Sequence, residues 1–178
     1  MRRMKTQLAS ALVAVLVSAA AAQAQEAADL NDLEIAHVAY TADNIDIRYA
    51  HLARALSEDA TVREFAETMI RDHTAVNERA LALLDKLEAQ PQDNFLSQAL
   101  VAQSTENIAA MVKLTGSEFD RHYIENELEY HKAVNGLVVD TFIPNIDNAE
   151  VKELFQAAAA IFKAHEVHAE NAVASLEK

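Results

Sequence analysis

The chain of 178 residues has no cysteine. That excludes disulfides, thiolate metal sites and lipidation at cysteine. Tryptophan is also missing, and there are only two glycines and two prolines. So little turn-forming material argues against a many-stranded sheet, while abundant alanine, leucine and glutamate favour helix. Positive charge is scarce: 15 Lys and Arg face 28 Asp and Glu, for a formal net charge of −13. Such a balance repels nucleic acid and anionic lipid and suits cations. Phosphate-binding loops, nucleophile elbows, H-E-x-x-H and dinucleotide fingerprints are absent.

Residues 1–24 read as a secretory signal peptide. Arg2, Arg3 and Lys5 form a basic start, and Leu8 to Ala22 an apolar core too short for a comfortable membrane span. Ala22-Gln23-Ala24 fits the small-x-small cleavage rule. An uncleaved amphipathic anchor is the weaker alternative, because the run has no polar face. Cleavage after Ala24 would remove three positive charges and leave −16 on a mature domain of residues 25–178. With no second apolar run, the mature chain is expected in the periplasm or outside the cell, with no membrane span.

Four long amphipathic helices are expected in the mature chain. The first runs from about Leu30 to Leu56 with Val38, Ala42, Ile45, Tyr49 and Leu52 on one face. Ser57-Glu58-Asp59 forms a turn, and Thr61 with Glu64 reads as a capping box for the second helix. That helix carries the seam Val62, Ala66, Met69, His73, Val76, Ala80, Leu83, Leu87. A weaker helix from about Phe95 to Leu114, interrupted in pattern at Gln103-Ser104-Thr105, reads as a crossover arm. Gly116 is expected as a left-handed C-cap and Ser117 as the next N-cap. The third long helix, Glu118 to Phe142, has the seam Ile124, Leu128, His131, Asn135, Val138. Gly136 within it implies a close neighbour or a bend. Asp147 with Glu150 resembles a cap for the fourth, whose seam includes Leu154, Ala158, Ile161, His165 and Ala169. One long connection among four helices is the pattern of a ferritin-like four-helix bundle with a crossover arm.

Histidines on three otherwise apolar seams are the candidates for chemistry. Asp46 lies about 13 residues before the first turn and His73 about 14 after it, so they share a layer at roughly 1.5 Å per residue. His131 and His165 match less well about Asn145, at about 14 and 20 residues, and Glu127 pairs better with His165. A layer of Asp46, His73, Glu127, His131 and His165 can bind one divalent ion such as zinc, iron, manganese or copper. Asp72, Asn77 and His168 are placed to orient such ligands from behind. The alternative is a non-catalytic helical interaction or envelope-stress module whose histidines are buried structural groups. Three such groups on three seams each carry a desolvation cost, which favours the metal reading. A metal-dependent oxidase is the minor third reading.

Other features weigh less. Glu34-x-x-His37 is formally a di-iron pair but stands alone at the start of a helix. His51 and His122 read as solvated, the four methionines make no copper(I) cluster, and Tyr40, Tyr49, Tyr123 and Tyr130 read as core-edge residues. An exposed helix face can pair subunits or meet a protein partner, but no residue pattern selects one.

Phe65-Ala66-x-x-Met69-x-x-Asp72-His73-Thr74, then Phe119-Asp120-x-x-Tyr123 continuing to His131, then His165, resembles the DUF4142 family of exported bacterial proteins. The resemblance covers about Asp32 to Ala174. It implies a ferritin-like bundle whose inward polar residues fall on His73, His131 and His165, with a glutamate common in the family where Asp46 stands. It implies no settled activity, and the paired glutamate-x-x-histidine motifs of ferritin-like oxidases are missing.

Overall fold

The computed structural model describes residues 26–176; the signal peptide expected at 1–24 lies outside them. Residues 26–30 fall in a separate compact unit and contain one helical turn. From Asn31 onward the described residues are all-helical, without strands: α1 Asp32–Leu56, α2 Ala60–Lys86, α3 Phe95–Met111, α4 Ser117–Leu137, the three-residue α5 Ile143–Asn145 and α6 Ala149–Leu176.

Side-chain caps set where these helices begin. The Asn31 carboxamide accepts from the Leu33 and Glu34 amides while Glu34 accepts from the Asn31 amide, a complete capping box. Glu34 is thereby spent on helix initiation. At α2 the cap is Asp59, which accepts from the Thr61 and Val62 amides; the expected Thr61–Glu64 box does not form. An aspartate two residues upstream is the better acceptor for two free amides. Asn148, rather than Asp147, accepts from the Glu150 and Val151 amides at α6. Gly116 has the expected positive φ of 55°, but it stands in the N-cap position of α4, so Ser117 is the first helical residue.

α3 runs unbroken through Gln103–Thr105. The Ser104 and Thr105 hydroxyls donate to the Val101 carbonyl and so stay inside the helix's own hydrogen-bonding pattern. α4 passes into a π-helical turn, Val138–Phe142, before α5. Pro144 lacks an amide and crowds the carbonyl four residues back, and the wider turn relieves that conflict. Nothing lies within 4 Å of where a Cβ at Gly136 would stand, so close approach is not the reason for that glycine. The irregularity expected there begins two residues later.

α1 packs against α2, α4 against α6, and α2 against α6, while α3 lies along α1. Polar links hold the ends together. Asp32 accepts from the Asp147 and Asn148 amides, and the Leu33 carbonyl accepts from Gln92. Arg63 donates to the Arg54 and Ser57 carbonyls at the end of α1. The dense core, built on Tyr49, Phe65, Met69, Phe119, Tyr123 and Ile124, occupies the end near the α1–α2 turn. Val76, Ala158 and Phe162 form a smaller cluster farther along α2 and α6.

Candidate metal centre

Four helices deliver buried polar side chains to one layer: Asp43 and Asp46 from α1, His73 from α2, Glu127 and His131 from α4, and His165 from α6. Each follows from helical periodicity. His73 is four residues from Met69 and three from Val76, all on the buried face of α2. Glu127 and His131 are one turn apart on α4, and Asp43 and Asp46 likewise on α1. Asp46 and Glu127 are 0% exposed.

The three imidazoles converge. Their ring centroids are 5.6 Å apart for His73–His131, 5.2 Å for His73–His165 and 5.5 Å for His131–His165. One nitrogen from each lies within 4.8 Å of the others. Asp46, Glu127 and His131 form an overlapping group at the same separation. The apparent mismatch in level narrows because residues 146–148 are not helical. Counted from the helix ends, His131 lies 14 residues before Asn145 and His165 lies 16 after Ala149.

The outward nitrogen of each ring is held by an acceptor. His73 Nδ1 is 2.8 Å from Asp43 Oδ1, His131 Nδ1 is 2.9 Å from the Glu127 carbonyl, and His165 Nε2 is 3.0 Å from Asp72 Oδ2. A carbonyl or carboxylate can only accept, so each ring donates outward. The inward nitrogens, His73 Nε2, His131 Nε2 and His165 Nδ1, meet no hydrogen-bond partner among the described residues. Outward donation leaves the inward nitrogen to a metal ion once that nitrogen is unprotonated, which is how metal-ligating histidines are ordinarily held.

The oxygen donors face the same point. Asp46 Oδ2 is 3.4 Å from His73 Nε2 and 3.5 Å from His131 Nε2. Two donors about 2.1 Å from one ion, at a near-tetrahedral angle, stand about 3.4 Å apart. Among the described residues, neither oxygen of Asp46 or Glu127 accepts a hydrogen bond from an N–H or hydroxyl donor. A proton on Glu127 is what can bridge the two carboxyls, and burial together with the Asp46 charge pushes Glu127 well above the ordinary carboxyl range. Burial acts against ionising His73, but the Asp46 and Asp43 charges and the Asp43 hydrogen bond prevail and raise it to about 9. His131 is lowered by burial, and His165 is lowered to about 4, chiefly by burial, against the Asp72 hydrogen bond. Asp43 is raised, first by burial. Protons on His73 and Glu127 thus balance negative charge where a cation would do the same.

Of the residues expected to orient ligands, Asp72 is the one in contact with an imidazole of the layer, that of His165. It is fixed by Arg71, with Nε and Nη2 at 2.7 and 3.0 Å from its two oxygens, and that pairing holds it below the usual carboxylate range. Asn77 is instead in the wall of a neighbouring cavity, and His168 stands edge-on to Phe65 with centroids 5.0 Å apart. Asp43 was not among the residues singled out from the sequence; its signal was its position one turn before Asp46. His37, near Asp93 at 3.6 Å, and the exposed His51 lie outside the layer. Phe162 stacks on His73 at 4.6 Å and 13° and closes one side.

Comparison with family models matches residues 17–172 to a domain of unknown function, DUF4142, and the chain belongs to that family. Comparison with curated proteins and with solved structures finds no match.

Proposed function

We propose that this DUF4142 protein is exported and holds one divalent transition-metal ion in the interior of a ferritin-like four-helix bundle. The ligands are His73 Nε2, His131 Nε2, His165 Nδ1 and Asp46, with Glu127 as the further charge-balancing donor. The supporting observation is that three buried rings turn unpartnered nitrogens to one point while their opposite nitrogens are held outward. Three imidazoles and one or two carboxylates suit zinc, iron, manganese or copper(II). Asp43, Asp72 and the Glu127 carbonyl orient the rings.

The role that fits is metal buffering or a stress response in the periplasm. Export is supported by the basic start, apolar core and Ala-Gln-Ala site of residues 1–24. No two glutamate-x-x-histidine pairs supply the layer, and Glu34 serves the α1 cap, so a classical di-iron oxidase centre is disfavoured. Cobalt(II) titration followed by visible absorption tests the reading. Saturation at one ion per chain, with bands lost in His131→Ala, supports it. A spectrum unchanged from aqueous cobalt moves the histidines to a structural role in an interaction module.

A further inference from the structure

Beyond the metal layer, α1, α2, α3, α4 and α6 all contribute to the wall of a cavity of about 390 Å³. That size falls within the usual range for small-molecule sites. The wall is mainly apolar. Alanines on facing helices, among them Ala39, Ala80, Ala133 and Ala158, leave open the space that larger side chains would fill.

Two polar atoms in this wall are unsatisfied. Asn77 is 7% exposed and its Oδ1 has no hydrogen-bond partner; the buried Nδ2 of Asn126 also has none. A buried amide left unpaired is costly, and both atoms are closed to solvent, so an occupant reaches them when the side chains turn toward it, which relieves that cost. Several of the other polar groups are used. Tyr130 donates to the Ala42 carbonyl, Asn107 reaches Tyr49 and Asn126 Oδ1, and Asp43 holds His73. Among the described residues no lysine, arginine or histidine lines the cavity, and the carboxyls that do are Asp43 and Glu129.

We propose that this cavity binds a neutral small molecule with an apolar body and a hydroxyl or amide group, which donates to Asn77 and accepts from Asn126. An anionic fatty acid or phosphate ester is disfavoured by the Asp43 and Glu129 carboxyls and by the lack of a lining cation. The site stands independently of the metal reading, although Asp43 and Phe162 touch both.

The test is fluorescence titration of the mature protein, as purified, with N-phenyl-1-naphthylamine, a neutral apolar probe carrying one N–H. Saturable one-to-one binding in the micromolar range is expected. Decanol should displace the probe roughly tenfold more effectively than decanoate at the same pH. Ala80→Phe, which fills the wall, should weaken probe binding by roughly tenfold, and Asn77→Leu should weaken it less. No saturable binding, or decanoate competing as well as decanol, overturns the proposal. So does unchanged binding in an Ala80→Phe variant that melts like the parent. The alcohol-against-carboxylate comparison decides the matter on the parent protein even if that variant fails to fold.

Discussion

Asp43 Oδ1 sits 2.8 Å from His73 Nδ1, and this contact aims Nε2, on the opposite edge of the ring, toward Asp46. Removing the acceptor should loosen both the tautomer and the aim of the ring. Asp43→Ala is therefore expected to weaken metal binding by about 10- to 100-fold. Asp43→Asn keeps an oxygen that can accept and should lose less. Competitive titration against a chromophoric chelator measures both; equal losses would mean that charge, rather than orientation, is what Asp43 supplies.

Metal binding should release protons. His73, raised to about 9, and Glu127, raised well above its ordinary value, both carry a proton near neutrality in the metal-free protein. A cation takes their place, so about two protons should leave per ion at pH 7. Calorimetry in buffers of different ionisation enthalpy reads that number directly. Zero release would show that the ion does not engage this layer.

The metal-free protein should lose stability on both sides of about pH 6.5. His165 is lowered to about 4, so its contribution is complete above its unfolded value near 6.5 and is lost as pH falls through 4. His73 is raised to about 9, so its contribution is complete below 6.5 and is lost as pH rises through 9. Each displacement corresponds to on the order of 3 kcal/mol. Melting curves across pH should show a shallower acid limb in His165→Gln and a shallower alkaline limb in His73→Gln. Variants with the parent's slopes would contradict these assignments.

Glu127 should cost stability when no metal is bound. Its raised value means that its favourable contribution is present below about 4.5 and fades as pH rises toward the folded value. Glu127→Gln keeps the size and supplies a donor for Asp46. At pH 7 the metal-free variant should melt above the parent, with the gap closing toward pH 4.5, and should bind metal more weakly. A lower melting temperature at pH 7 would count against this.

Gly136 offers a test of the fold alone. With nothing within 4 Å of an added Cβ, Gly136→Ala should stabilise the protein by about 0.5–1 kcal/mol. Chemical denaturation would detect that shift in midpoint. Destabilisation would mean that the π-helical turn at Val138–Phe142 needs the glycine's freedom.

Much of this was legible in the sequence because helical periodicity puts seam residues on one side. His73, His131 and His165 each interrupt an apolar row, so their inward direction could be read, and Asp46 and Glu127 followed from level. The distance between His131 and His165 was overestimated because a residue count treats residues 146–148 as if they rose along a helix. Asp43 was hidden because an aspartate on an amphipathic helix looks like a solvated residue until its partner ring is placed. Caps were misplaced by one or two residues at Asp59, Gly116 and Asn148, where several capping residues stand together. The cavity gave no signal, since an alanine facing a void and an alanine facing a tight contact read alike.

The central claim is that the protein carries one metal ion among these histidines. Elemental analysis of the protein, purified without chelator or nickel affinity, tests it most directly, with His73→Ala/His131→Ala alongside. The account expects near-stoichiometric metal in the parent and its loss in a variant that remains helical. A parent without metal, which gains none on incubation with zinc, iron, manganese or copper, would contradict it.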